Sequence, residues 1–168
     1  MNLKTTSREE LLVGGSDAKF RQMVYDLFTI STHMQSVRDH VAVRVGVTGP
    51  QYSILLAIAE MQDNVGVGVK RVADHLHVSG AFVTAETGKL LKLGYLVKRP
   101  NPEDRRRVRL TLSAKGRHET DQVLAELCRI NDIFFGDLDK KAFDKLSEIA
   151  ASMIDSAKEA LRNTTLDE

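Results

Sequence analysis

Three consecutive arginines, Arg105, Arg106 and Arg107, are the residues of this 168-residue chain whose type and spacing most directly suggest a chemistry. Guanidinium groups bind phosphate oxygens through paired hydrogen bonds and stay charged at physiological pH. The segment from Val65 to Arg117 holds twelve basic and four acidic residues, a net charge of +8, although the whole chain carries only +1. Such a basic block is typical of a protein that binds a polyanion such as nucleic acid, and a solvated basic surface is the alternative.

Two short helices and a β-hairpin are predicted to position these charges. Apolar residues recur every three or four positions over residues 70–77 and 79–93, and Ser79 is suited to cap the second helix. The runs 96–99 and 108–112 favour strands, and the segment between them contains Pro, Asn and Asp, which favour a turn with arginines at its tip. A helix-turn-helix followed directly by a hairpin is the order of a winged helix.

Longer amphipathic segments flank this basic lobe. The sequence predicts a mainly α-helical fold with a small β-hairpin wing (the α+β class), in which a winged helix-turn-helix over residues 48–116 lies between dimerisation helices at 17–47 and 117–163. Asp17 is expected to cap the first helix, and residues 1–16 are expected to form a mobile arm. The apolar stripes of the flanking helices are too long for one small lobe to cover, which favours a homodimer over a monomeric helical bundle.

Several other classes of protein are disfavoured by composition and motif. A single Cys cannot form an internal disulfide, and no run approaches the roughly 18 apolar residues that cross a membrane, so a cytoplasmic protein is expected. No P-loop, Rossmann or hydrolase motif is present, so we expect neither an enzyme nor a cofactor. His75 and His77 do not share a helix face, so no metal site is expected. Cys128 has apolar neighbours, and we expect a buried or inert thiol.

Five short motifs occur in order across the central lobe. They are Thr48-Gly49-Pro50-Gln51-Tyr52, Phe82-Val83-Thr84, Gly94-Tyr95-Leu96, Asp104-Arg105-Arg106 and Leu112-Ser113-Ala114-Lys115-Gly116. In order and spacing they closely resemble the MarR family of transcriptional regulators. The resemblance implies a dimer whose ends are built from the first and last helices, and repression relieved by a small ligand or by oxidation. Ala85, Glu86 and Gly88 depart from the family pattern, which commonly has Arg after Val-Thr, and this leaves the operator sequence open.

The helix over residues 79–93 is predicted to enter the major groove of duplex DNA, and the arginine tip of the hairpin is predicted to reach a minor groove. Alternate residues of a hairpin point to opposite faces, so one or two arginines are expected to pair with Asp104 or Glu103. Two lobes on a two-fold dimer predict a pseudo-palindromic operator with half-site centres ~34–36 Å apart. The predicted DNA-binding residues are Ser79, Gly80, Ala81, Thr84, Ala85, Lys89, Arg105, Arg106 and Arg107.

An effector pocket between the first, second and fifth helices follows from the resemblance, with His33, Arg38 and Tyr52 as candidate ligand-binding residues. A cation beside apolar side chains suits a carboxylate, such as an aromatic or acyl acid or its CoA thioester. Alternatively, Arg38 faces solvent or pairs with Asp39 or Asp26. The sequence thus predicts a ligand-responsive, dimeric DNA-binding repressor. The alternatives are a redox- or metal-responsive regulator of the same fold and a winged-helix interaction adaptor that does not bind DNA.

Overall fold

The computed structural model describes residues 3–101, 104 and 107–164, and within them the chain forms six α-helices and one β-hairpin. The elements are α1 (Ala18–Val45), α2 (Gly49–Met61), α3 (Val69–Leu76), α4 (Gly80–Lys92), β1 (Leu96–Pro100), β2 (Val108–Leu112), α5 (Ala114–Phe134) and α6 (Lys140–Thr164). The chain divides into two compact units, Met1–Ala125 and Glu126–Glu168. The predicted class, a mainly helical winged helix-turn-helix with a small hairpin, is confirmed.

The hairpin is antiparallel and is widened at its root by a third segment. Leu96 pairs with Leu112, and Pro100 pairs with Val108. Val67, which lies just before α3, exchanges two backbone hydrogen bonds of 2.9 and 2.8 Å with Leu110. The start of α3 is therefore tied directly to the hairpin.

Local capping signals set the ends of the helices in the first unit. Thr48 and Gln51 form a reciprocal capping box at the start of α2. The Ser79 hydroxyl accepts the Phe82 N–H at 3.1 Å and caps α4 as predicted. Gly94 follows α4 with a φ of 78°, a left-handed conformation that glycine adopts without steric cost. These signals set the start of α2 and both ends of α4.

The core of the first unit extends from the end of α1 to β2. Burying each large apolar side chain stabilises the fold by about 1.5–3 kcal/mol, before the loss of conformational entropy. This core fixes α4 and the root of the hairpin relative to each other. The largest fully buried side chains are Tyr52, Ile54, Leu55, Ile58, Leu90, Leu110, Val41, Val67, Val72 and Val83.

Tyr95, between α4 and β1, connects three elements of the first unit. Its hydroxyl donates to the Val45 carbonyl at the end of α1, and its own carbonyl accepts the Ser113 N–H at 2.9 Å. A Cβ at position 116 would lie well inside van der Waals distance of that same Tyr95 carbonyl. Gly116 therefore allows the start of α5 to pack against the backbone of the hairpin lobe.

The N-terminal segment makes defined contacts with α1, where the sequence predicted a mobile arm. The Asp17 carboxylate accepts hydrogen bonds from the backbone N–H and the hydroxyl of Thr5, and it pairs with Arg21. Arg21 also donates to the Leu3 carbonyl at 2.9 Å. Asp17 occupies the predicted N-cap position of α1, but its side chain bonds Thr5 and Arg21 rather than the backbone N–H groups of the helix. The pKa of Asp17 lies below its ordinary value, mainly because the Thr5 N–H donates a hydrogen bond to the carboxylate.

The second unit has an apolar surface that its own residues do not bury. Every residue of α6 that the structure describes is exposed, including Phe143, Leu146, Ile149 and Met153. Phe143 and Leu146 line a cleft with Phe135, a residue that follows α5. The stripe predicted for the last helix is therefore present and open in the single chain.

No single helix among the described residues is both long and apolar enough to cross a membrane. Taken together, α1 and α2 have enough length and apolar composition, but the pair is bent by 80°. Most of α2 is buried in the core of the first unit.

Candidate nucleic-acid interface

One face of α4 is buried and the opposite face is open. Val83, Thr87 and Leu90 point into the core, and Gly88 is half-buried. This is the 3.6-residue periodicity on which the sequence prediction depended. The predicted contact residues on this helix are all exposed, and they are Ser79, Gly80, Ala81, Thr84, Ala85 and Lys89.

The side chains on the open face of α4 are small, and two of them already make local hydrogen bonds. The Thr84 hydroxyl donates to the Gly80 carbonyl at 2.8 Å, so its remaining capacity is as an acceptor. The Ser79 hydroxyl is engaged by its capping bond. Ala81 and Ala85 present methyl groups. Methyl groups of this kind are suited to apolar contact with thymine methyls.

Lys89 is not a free cation, because Glu86 holds it. The Lys89 ammonium lies 2.6 Å from one carboxylate oxygen of Glu86, and the Gln51 amide donates to the other oxygen at 2.9 Å. The Lys89 side chain is 60% exposed, whereas that of Glu86 is 12% exposed. The hydrogen bond from Lys89, followed by the hydrogen bond from Gln51, lowers the pKa of Glu86. The i, i+3 spacing of opposite charges was the local signal of this pair; the sequence prediction missed it.

Within the described part of the hairpin tip, Asp104 and Arg107 form an ion pair. Asp104 lies 3.3 Å from the Nε of Arg107, which remains 79% exposed. The Arg107 N–H donates to the Asp104 carbonyl, and the Asn101 N–H donates to the Arg107 carbonyl, both at 2.9 Å. The predicted pairing of Asp104 with a wing arginine is therefore found at Arg107. The other two predicted contacts, Arg105 and Arg106, lie outside the described residues.

The candidate effector residues are not brought together in one site. Arg38 lines a cavity of about 470 Å³ on α1 together with apolar side chains that include Leu27, Ile30 and Met34. Tyr52 is buried in the core and His33 is exposed, and neither is among the residues that line this cavity. All the lining residues come from α1, whereas the sequence predicted a pocket between three helices.

Two buried polar atoms near the end of α1 and the start of α2 lack hydrogen bonds within the described residues. They are the Nε of Arg38 and the hydroxyl of Tyr52. The Arg38 Nε lies 3.5 Å from the Asp39 carboxylate, close enough for electrostatic attraction but without hydrogen-bond geometry. Burial raises the pKa of Tyr52. Buried polar groups normally have partners, and these two atoms depart from that rule within the described residues.

Cys128 is exposed in the single chain, and the prediction of a buried thiol is wrong in this respect. Successive residues of a helix point about 100° apart, so apolar neighbours at 127 and 130 do not imply that position 128 is buried. The described residues contain no cluster of three His, Cys, Asp or Glu side chains that could hold a metal ion.

Comparison with known proteins identifies relatives of the same lobe and of the whole fold. A family model for the MarR family matches residues 45–107. The HTH-type transcriptional repressor YetL of Bacillus subtilis (strain 168) is 24% identical over 133 residues, which are 77% of this chain and 79% of that protein.

Two solved structures share the fold. CouR from Rhodococcus jostii RHA1, bound to p-coumaroyl-CoA, has a TM-score of 0.72 at 19% identity, covering 82% of this chain and 95% of that one. MepR of S. aureus in complex with DNA has a TM-score of 0.67 at 15% identity, covering 89% and 99%. The family match spans α2, α3, α4 and β1, and it ends just before β2. The chain is thus similar to the MarR family of transcriptional regulators over residues 45–107, and it shares the fold of these two solved structures.

Proposed function

We propose that this protein is a homodimeric repressor that binds a pseudo-palindromic operator and is released by a small carboxylate ligand. The observation that supports DNA binding most strongly is the open, small-residue face of α4 within a lobe of high positive charge. A structure of MepR, which shares the fold, contains DNA. Binding rather than catalysis is the proposed activity.

In the proposed complex, α4 lies in the major groove and the hairpin tip reaches the adjacent minor groove. Thr84 accepts a hydrogen bond from a base, and Ala81 and Ala85 contact thymine methyls. Ser79 and Gly80 lie at the start of α4, where the helix approaches the backbone. Lys89 contributes through a phosphate, and its charge is shared with Glu86. Arg105, Arg106 and Arg107 contact the minor groove, where a narrow groove concentrates negative potential.

The proposed second protomer covers the apolar surfaces of α1 and α6. Met23, Phe28 and Met34 of α1 are exposed, and α6 buries none of its side chains in the single chain. Exposed apolar surface of this extent marks an interaction site, and two-fold dimers are the commonest assembly. Sedimentation equilibrium should give twice the mass of the chain. A monomer at micromolar concentration would contradict the dimer.

Arg38 is the proposed anchor for the ligand carboxylate. Its guanidinium borders an apolar cavity and its Nε lacks a hydrogen bond, a combination suited to an aromatic or acyl acid. The related structure of CouR contains p-coumaroyl-CoA. We expect p-coumaric acid or its CoA thioester to raise the melting temperature and release DNA. Arg38→Gln should bind DNA normally but lose this response. If it responds as the wild type does, Arg38 is not the anchor.

Selection of bound fragments from a random duplex library tests the DNA-binding proposal. Recovery of a motif with two-fold symmetry and half-sites one helical turn apart is the expected result. Replacing Arg107 by Ala should weaken binding and flatten its dependence on salt. Failure to retain any duplex at 50 mM salt would favour the interaction-adaptor alternative.

A further inference from the structure

A basic cleft lies between α3 and the hairpin. Its volume is about 660 Å³, and its lining includes Lys70 and Arg71 from α3 together with Arg107 and Arg109 from the hairpin. Among the described lining residues, Asp74 is the one carboxylate. Four cations and one anion around a concave surface create a positive potential that favours an anionic guest.

The two α3 cations occupy positions that are unfavourable for the helix itself. The start of a helix carries a partial positive charge, so basic residues in its first turn lower its stability. The first turn of α3 contains Lys70 and Arg71, no acidic residue, and no side-chain cap from Gly68. Within the described part of the chain, neither Lys70 nor Arg71 makes a side-chain hydrogen bond or an ion pair. An anion in the cleft would offset this repulsion.

The walls of the cleft are held in place by contacts below it. The Arg109 guanidinium is half-buried and donates to the Gly66 carbonyl at 3.3 Å. Asn101 is buried and donates its N–H to the Arg107 carbonyl. The backbone bonds between Val67 and Leu110 join the segment before α3 to the hairpin. A site formed in advance loses little entropy when a ligand binds.

We propose that this cleft binds one phosphate group, at a position separate from the open face of α4. The inference rests on the proposed function, in which the phosphate belongs to the DNA backbone; a free phosphate compound is the other source of the same chemistry. Lys70 and Arg71 supply the charge, and the uncapped N–H groups at the start of α3 supply further donors. A phosphate held here sets the register of the duplex without reading any base.

The test is a double variant, Lys70→Gln with Arg71→Gln, in the full-length protein. Association with a random-sequence 30-base-pair duplex is measured as a function of salt. Loss of one phosphate contact should make the slope of log K against log salt shallower by about 0.9. The matched control is Lys141→Gln with Lys145→Gln, which removes the same charge from α6. The control should keep the wild-type slope, and both variants should melt no lower than the wild type.

A second arm uses inorganic pyrophosphate without DNA, followed by calorimetric titration. A shallower salt slope confined to the cleft variant supports a DNA phosphate as the occupant. An unchanged slope, with pyrophosphate binding to the wild type but not to the cleft variant, supports a free phosphate compound. If neither readout differs between the cleft variant and the wild type, the cleft is not a phosphate site. If the wild type does not bind duplex at all, the proposed function fails, and the pyrophosphate arm alone decides the cleft.

Discussion

Replacing Glu86 by Gln should strengthen the binding of this protein to DNA of any sequence. The Glu86 carboxylate accepts the Lys89 ammonium at 2.6 Å and is itself held by the Gln51 amide. Glutamine has nearly the same shape but no charge, so Lys89 becomes free to reach a phosphate. The pair is largely solvent-exposed on the Lys89 side, and such pairs stabilise a fold by about 0–1 kcal/mol. The substitution should therefore leave the fold intact.

The size of the effect follows from counterion release. One added phosphate contact steepens the dependence of log K on log salt by about 0.9. Across a fourfold change in salt, from about 50 to about 200 mM, a slope of this size corresponds to a further ~3.5-fold loss of affinity. Fluorescence anisotropy with a labelled random-sequence duplex can resolve this difference.

Two further variants separate release of Lys89 from a general change in charge. Asp144→Asn also removes a carboxylate that pairs with a lysine on its own helix, Lys140, but it lies in α6. That variant should keep the wild-type slope. Combining Glu86→Gln with Lys89→Gln should restore the wild-type slope. If the combined variant stays as steep as Glu86→Gln alone, Lys89 is not the cation responsible and the reasoning is refuted.

Two other predictions concern stability. Gly116→Ala should lower the free energy of unfolding by about 1–3 kcal/mol, because its Cβ would overlap the Tyr95 carbonyl. A Cβ at position 88 meets no atom within 4 Å, so Gly88→Ala should raise the free energy of unfolding by up to about 1 kcal/mol. Urea titration of both variants measures the two changes. Equal changes in the two variants would contradict this packing. Because the pKa of Asp17 is lowered in the fold, its stabilising contribution is present above pH ~4 and lost as the pH falls through the folded pKa. Asp17→Asn should flatten the melting temperature between about pH 5 and 2, and an unaltered profile would count against the Thr5 contact.

The parts of the fold that could be predicted from sequence depend on short-range signals. The caps at Thr48 and Ser79 act over three residues, and the stop at Gly94 depends on one backbone conformation. The alternation of buried and open positions along α4 follows from helix geometry alone. These signals also placed the open face of α4 correctly, because burial of Val83 and Leu90 leaves the opposite face outward.

The features that were missed join residues far apart in the chain. Gln51 meets Glu86 across 35 positions, and Thr5 meets Asp17 across 12 positions. No local pattern predicts that the Asp17 carboxylate bonds Thr5 instead of capping α1. The i, i+3 spacing of Glu86 and Lys89 indicated their pairing, but Gln51, which donates a hydrogen bond to Glu86, lies on another helix. Tertiary contacts of this kind decide which of several local options a side chain takes.

The Gln51 side chain has a mechanical consequence, because both ends of its amide are in use. Its oxygen accepts the Thr48 N–H at 3.1 Å, and its nitrogen donates to Glu86. The planar group cannot be turned over without placing its oxygen against a carboxylate. A ligand that changes the angle of the elbow between α1 and α2 must therefore either move α4 as well or break the hydrogen bond between Gln51 and Glu86. In both cases the Gln51 amide couples the elbow to the open face of α4 within a single protomer.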